Sequence, residues 1–190
     1  MDPRFYVFAF AGTFSFSGLF VYVANSPAIF MDYFHLSAKL YGGIFALLSL
    51  GFIGGSQVNH ILTRYYKNET ILQTTVIFQV AVAVLFFIGS VNEWYGLAPV
   101  IIFLFVLLSC AGLTYPNAAS LAMAPFSKNA GTAAALLGFI QIGIGGLVSA
   151  VVGMLHFKAT LTMSLIMALS AIVALIILLA GRSGINKQIS

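Results

Sequence analysis

The sequence predicts an all-α integral membrane protein: six transmembrane helices in one bundle, with almost nothing outside the bilayer. Hydrophobic residues make up 61% of the 190 residues, and mean hydropathy is +1.07. The chain holds only 8 Lys or Arg and 4 Asp or Glu, where a soluble domain would be about a quarter charged. The few charges fall between six apolar stretches, each matching the roughly 20 residues that a helix rising about 1.5 Å per residue needs to cross a hydrocarbon core.

The first span is expected near Phe5–Phe30. Met1-Asp-Pro-Arg leads straight into it, with no small-residue cleavage site after a short apolar core, so it reads as a retained helix and not a signal peptide. The second is expected near Leu40–Leu62, the third near Thr70–Ser90 and the fourth near Leu97–Met123. The fifth follows near Ala130–Met154 and the sixth near Thr160–Gly181, giving a single six-helix domain over residues 1–190. The loops Met31–Lys39, Thr63–Glu69, Val91–Gly96, Pro125–Asn129 and Leu155–Ala159 are too short to fold as domains. Arg4, Arg64, Lys67, Lys128, Arg182 and Lys187 then flank one side, and Lys39 and Lys158 the other. Because basic residues are enriched on cytoplasmic flanks, both termini are expected in the cytoplasm. Trp94-Tyr95 and Tyr65-Tyr66 fit interfacial anchors.

The parts needed for catalysis are missing from this pattern. His35, His60 and His156 stand at unrelated loop-proximal positions, and the acids Asp2, Asp32, Glu69 and Glu93 all lie near the interfaces. No metal-ligand spacing, phosphate-binding loop or nucleophile constellation occurs, so neither an enzyme nor a cofactor is expected. The net charge of +4 is scattered singly among loops, which argues against a nucleic-acid partner. The lone Cys110 sits mid-span and reads as a packing residue. Ionisable groups within a membrane are the usual proton and ion relays; with none at mid-span here, any proton-carrying group must come from elsewhere.

The spans do carry breaks and uncharged polar groups. The first holds Gly18, Tyr22, Asn25, Ser26 and Pro27; the fourth holds Gly112, Tyr115, Pro116, Asn117 and Ser120. Pro27 and Pro116 remove a backbone donor each and are expected to kink their helices, either towards an interior cavity or for packing alone. Interrupted spans in the first and fourth places suit a three-plus-three inverted repeat, whose matching breaks point to a midplane binding site. On the first span Phe14, Gly18, Tyr22 and Asn25 share one helical stripe, as do Ala134, Gly138, Gln141, Gly145 and Ser149 on the fifth. Gly138 and Gly145 are expected helix-packing positions, while Gln141 fits interhelical hydrogen bonding or cavity lining. Gln57 and Asn59 fit interfacial structural roles, and Gln73 and Gln79 a peripheral helix. The 18 Phe and 8 Tyr suit either a lining for lipophilic or cationic compounds or a lipid-facing surface.

The blocks "YVANSPAIF" (22–30), "GSQVN" (55–59) and "PNAASLAMAPF" with "AGTAAALLG" (116–126 and 130–138), in this order and spacing, carry a resemblance over nearly the whole chain. The sequence resembles the C-terminal six helices of the Bcr/CflA drug-resistance branch of the major facilitator superfamily. That resemblance implies half of a twelve-helix fold in the bacterial inner membrane, from a family of proton-driven exporters of drugs and other small molecules. It places spans one, two, four and five beside the cavity and spans three and six at the periphery. Phe14, Tyr22, Asn25, Tyr115, Asn117 and Gln141 are then the expected substrate-binding residues. The segment "GGSQVNHILTRYYKN" occupies the place of the weaker copy of the family's loop motif, with Asn59 where the strong copy has an acid and Arg64 as its basic member. The family's coupling groups therefore map to no residue here. The expected partner is an N-terminal six-helix half; the alternatives are a second copy forming a self-sufficient homodimer, or a membrane interaction protein without transport.

Overall fold

The computed structural model describes residues 3–126, 129–155 and 158–187, with side chains as far as 181. Asp2, Lys128 and His156 lie outside the described residues. The helices are α1 (Pro3–Pro27), α2 (Ala38–Leu62), α3 (Asn68–Val91), α4 (Leu97–Met123), α5 (Ala130–Met154) and α6 (Ala159–Lys187). All six are long and apolar enough to cross a membrane, and the described residues contain no strand.

The two prolines act differently. At Pro27 the α-helix gives way to a wider π-helical turn over Ala28–Tyr33. The proline has no N–H for the Val23 carbonyl, and the Ser26 hydroxyl lies 3.5 Å from that oxygen and 3.0 Å from the Tyr41 hydroxyl of α2. The turn continues the first span, so the connection to α2 shortens to residues 34–37, ending on Ser37, whose side chain accepts from the Leu40 N–H. At Pro116, by contrast, α4 runs on as one helix to Met123. The side chain of Asn117 there donates to the Leu113 carbonyl at 2.7 Å.

Packing interleaves the two halves of the chain. The principal partners of α1 are α4, α5 and α6, those of α4 are α1, α2 and α3, and α3 also packs on α6. Moving every helix three places along converts the α1–α5 pair into α4–α2 and α1–α6 into α4–α3, while α1–α4 and α3–α6 map onto themselves. This is the contact signature of two three-helix repeats related by a pseudo-two-fold axis. Because three is odd, the second repeat enters from the opposite face, which makes the repeat inverted. The arrangement leaves α1 and α4 central and α3 and α6 on one side of them. It leaves α2 and α5 at the flanks, with large parts of their surfaces open.

Apolar side chains gain nothing by moving from lipid to a protein interior, so the helices must be held by close fit and hydrogen bonds. Both are present. A buried knot joins three helices: Ser15 of α1 donates to Gln79 Oε1 of α3 at 2.6 Å and meets the Thr114 hydroxyl of α4 at 2.8 Å, and Gln79 Nε2 returns a bond to the Ser15 carbonyl at 3.0 Å. Gln79, expected on a peripheral helix, is on α3, but its side chain points into the centre of the bundle and is 4% exposed. The tightest fit is the α2–α4 crossing. A Cβ at Gly55 would collide with the Ser109 backbone, and one at Gly112 with the Phe52 carbonyl, so only glycine permits this spacing.

Candidate functional site

Phe16 of α1 is the hub of an aromatic cluster near the middle of the bundle. Its ring centroid lies 4.8 Å from Tyr115 of α4, 5.9 Å from Phe52 of α2 and 5.9 Å from Phe20 one turn along α1. The Phe20 ring in turn covers Gly145 of α5, where a Cβ would sit 2.6 Å from the ring. One turn further, the Ser149 hydroxyl lies 3.5 Å from the Phe20 carbonyl. The four helices α1, α2, α4 and α5 thus meet through rings. Tyr115 in this cluster and Gln141, one turn before Gly145 on α5, are both half-buried, and among the described residues neither the Tyr115 hydroxyl nor the Gln141 amide finds a hydrogen-bond partner.

The expected site residues do not gather on one wall. The stripe Phe14–Gly18–Tyr22–Asn25 faces away from the open side of α1. Phe14 packs against the apolar cluster that holds Leu72, Val76 and Ala118, and a Cβ at Gly18 would lie 3.5 Å from Met167 of α6. Tyr22 is 1% exposed and stacks on Phe45 at 5.6 Å. Asn25 Nδ2 donates to the Ala159 carbonyl at 2.8 Å, tying α1 to the start of α6. Asn117 is 1% exposed and donates to Asn59 Oδ1 at 2.5 Å, a buried tie between α4 and α2. Asn59, expected at the interface in a structural role, makes this bond inside the bundle. Of the six, Tyr115 meets the Phe16 ring with its hydroxyl uncommitted, Gln141 stands one turn before Gly145 on α5 with its amide uncommitted, and the buried Tyr22 hydroxyl also has no partner among the described residues. The fifth-helix stripe divides as well: Gly145 packs under Phe20, but among the described residues nothing lies within 4 Å of a Cβ built at Gly138. α5 lies along α1 from Ala133, Leu137 and Ile140, which share an apolar cluster with Phe5 and Ala9, to Gly145 and Ser149 beside Phe20, so Gly138 is set apart by the direction it faces.

Phe16, Phe20 and Phe52 were not singled out by sequence. The signal was a Phe pair four residues apart, submerged among 18 phenylalanines. Phe16 is itself buried, and the partly exposed rings of Phe20, Phe52 and Tyr115 around it can bind by ring-face and apolar contact, to which a hydroxyl and an amide add direction. Among the described residues, no group of three His, Cys, Asp or Glu side chains could hold a metal ion, and the charged residues lie at helix ends or in loops.

The chain is 28% identical over 173 residues, 90% of its length, to an uncharacterized MFS-type transporter, YdgK, of Bacillus subtilis (strain 168). It is also 28% identical over 178 residues, 88% of its length, to the multidrug resistance protein MdtL of Shewanella oneidensis. These matches cover 42% and 43% of the relatives, so the chain spans less than half the length of the curated proteins it resembles. No family profile and no solved structure matches it. With these relatives, the six interleaved helices fit one half of a major facilitator fold.

Proposed function

We propose that this chain is the C-terminal half of a secondary active transporter of the Bcr/CflA branch, exporting small lipophilic or cationic compounds. Its α1, α2, α4 and α5 form one wall of the substrate cavity. The observation that carries this reading is the aromatic surface of Phe16, Phe20, Phe52 and Tyr115, contributed by α1, α2 and α4 and seated on Gly145 of α5. It lies near mid-helix, where transporters of inverted-repeat construction bind substrate. Tyr115 and Gln141 orient the substrate, and the rings supply affinity. Asn25, Asn117 and Tyr22 hold the wall in shape from behind, with Phe14 packed among them.

Proton coupling requires titratable groups at depth, and those come from an N-terminal six-helix half in the bacterial inner membrane, with both termini of this chain in the cytoplasm. The open faces of α2 and α5 favour a docked partner over an isolated bundle.

The test is drug-resistance rescue in an efflux-deficient bacterial strain, with this chain alone or co-expressed with an N-terminal half from a related transporter. Rescue only on co-expression is expected, with Tyr115→Ala and Gln141→Ala changing the range of compounds exported at constant membrane abundance. Rescue by the chain alone would replace this reading with the homodimer. Absence of rescue in both arms, with the halves shown to co-purify, would favour an interaction protein without transport.

A further inference from the structure

We propose a binding site for an anionic phospholipid in the side of the bundle where α2 and α3 flank α4. There α4 forms the floor of an open apolar trough of about 410 Å³, lined by Phe105, Val106, Cys110 and Leu113 of α4 and by Thr75 and Phe78 of α3. The α2 side of the trough is set by the Gly51 contact with the Phe105 ring. The polar atom at the floor is already engaged, because the Ser109 hydroxyl donates to the Phe105 carbonyl at 2.8 Å. An apolar chain lying on α4 therefore meets a serine hydroxyl already bonded within its own helix, with the Thr74 and Thr75 hydroxyls on the α3 wall.

The charge that selects the headgroup sits at one end of the same trough. α2 and α3 both pack on α4, and the short segment joining them, Thr63–Lys67, crosses the end of α4 on the face that carries Pro3 and Lys187. Arg64, Tyr65, Tyr66 and Lys67 are all exposed there. Arg64 lies 3.4 Å from His60, and Asn68 donates to the Ser120 hydroxyl at 3.1 Å, closing α3 onto α4 beneath the loop. Lys67 immediately precedes α3, seven residues before Thr74, which also borders the trough. Glu69, in the first turn of α3, is the one carboxylate near the two cations Arg64 and Lys67 in sequence.

The spacing suits a lipid standing upright. From Ser120 to Leu113 is about 10 Å along α4, and the lining from Leu113 to Phe105 adds about 12 Å, both at about 1.5 Å per residue. The trough thus begins at hydrocarbon depth, below the reach of a headgroup and within reach of an acyl chain. Tyr65 and Tyr66 sit at headgroup level, where amphipathic rings favour the interface. Two cations at this level attract anionic lipid by about fivefold in occupancy per basic residue. This inference rests on the helices spanning a membrane and not on the transport reading.

The experiment is fluorescence quenching by brominated lipids in the full chain, with Trp94→Phe removing the native tryptophan and Phe78→Trp placing a probe at the trough rim. Phe78 is 54% exposed, so the exchange of one ring for another disturbs little packing. Ile176→Trp, on an exposed position of α6, serves as the control. Bilayers mix phosphatidylcholine with phosphatidylglycerol, and one of the two carries the bromines. Brominated phosphatidylglycerol is expected to quench the Phe78→Trp probe at a mole fraction several-fold lower than brominated phosphatidylcholine, with no such preference at Ile176→Trp. Arg64→Gln combined with Lys67→Gln should abolish the preference. Equal quenching by both lipids would overturn the site in favour of bulk lipid, and a preference surviving the charge substitutions would overturn the headgroup assignment. Quenching by neither lipid would show that protein covers the trough. No outcome depends on transport, so failure here leaves the efflux reading standing.

Discussion

The α2–α4 and α1–α5 pairs are equivalents under the pseudo-two-fold axis, yet they are closed by different means. α2 and α4 meet backbone to backbone at Gly55 and Gly112, and Asn117 donates to Asn59 beyond the crossing. α5 rests on α1 through side chains: Phe5 and Ala9 share an apolar cluster with Ala133, Leu137 and Ile140, and the Phe20 ring covers Gly145, with a 3.5 Å hydrogen bond from Ser149 and an unpacked Gly138. Repeated topology does not require repeated chemistry. Backbone contact fixes a helix in one place, whereas contact through a ring with rotatable bonds lets the neighbour shift. The difference assigns a rigid flank to α2 and an adjustable one to α5.

The comparison can be broken most severely at Gly55. Gly55→Leu should destabilise the bundle by about 3 kcal/mol, because the obstructing atoms are Ser109 backbone and cannot turn aside; the thermal unfolding midpoint in detergent reads this. Gly145→Ala should cost about 1 kcal/mol by the same measurement, since the Phe20 ring can move, and Phe20→Leu should restore part of the loss. An equal cost at the two glycines would erase the distinction between the flanks. A double-mutant cycle on Asn59→Ala and Asn117→Ala should give a coupling energy of about 0.6 kcal/mol, typical of hydrogen bonds between helices in membranes. Gly138→Ala should change stability by less than about 0.5 kcal/mol, because the added methyl meets nothing.

The smallest effect is expected at the loops between α3 and α4 and between α5 and α6, where exposed Lys158 and Glu93 form an ion pair. The hydrogen bond from Lys158 to Glu93, and then the carboxylate charge, raise the ammonium pKa above its ordinary 10.5. A raised folded-state pKa contributes stability that is complete below the unfolded value and is lost as pH climbs through the folded one. Glu93→Gln should therefore lower the unfolding midpoint slightly at pH 7, with the difference from the parent vanishing in strongly alkaline buffer. At these exposed side chains salt should shrink it too.

The helices themselves were legible because charge and apolar length speak plainly in a membrane sequence. The even spacing of the 12 charged residues marks where the chain leaves the bilayer. Which face of each helix turns inward was harder to read. In water the polar face of a helix points out, but lipid is as apolar as the bundle interior, so Phe14 and Phe16 look alike in sequence while facing different neighbours. The resemblance places Phe14, Tyr22 and Asn25 of one α1 stripe at a substrate cavity. In lipid the polar residues of that stripe are the ones most needed inside, as Asn25 bound to the Ala159 carbonyl illustrates. Gly138 and Gly145 were indistinguishable for a related reason: small size permits close approach, but only the path of the neighbouring helix decides where approach occurs. Gln79 reached a central partner from a peripheral helix because a long amide spans the gap that its backbone does not.

The knot of Ser15, Gln79 and Thr114 has a consequence for the order of assembly. Ser15 and Thr114 are 99 residues apart, and at roughly 5–20 residues per second a ribosome needs about 5–20 s to deliver the second after the first. During that interval α1, α2 and α3 have entered the bilayer while α4, the principal partner of α2 and a shared partner of α1 and α3, does not yet exist there. The nascent first repeat must wait in lipid or against the insertion machinery with its polar groups provisionally matched. Arrival of the fourth helix gives the first three a shared partner, and α5 and α6 then complete the bundle against α1 and α3.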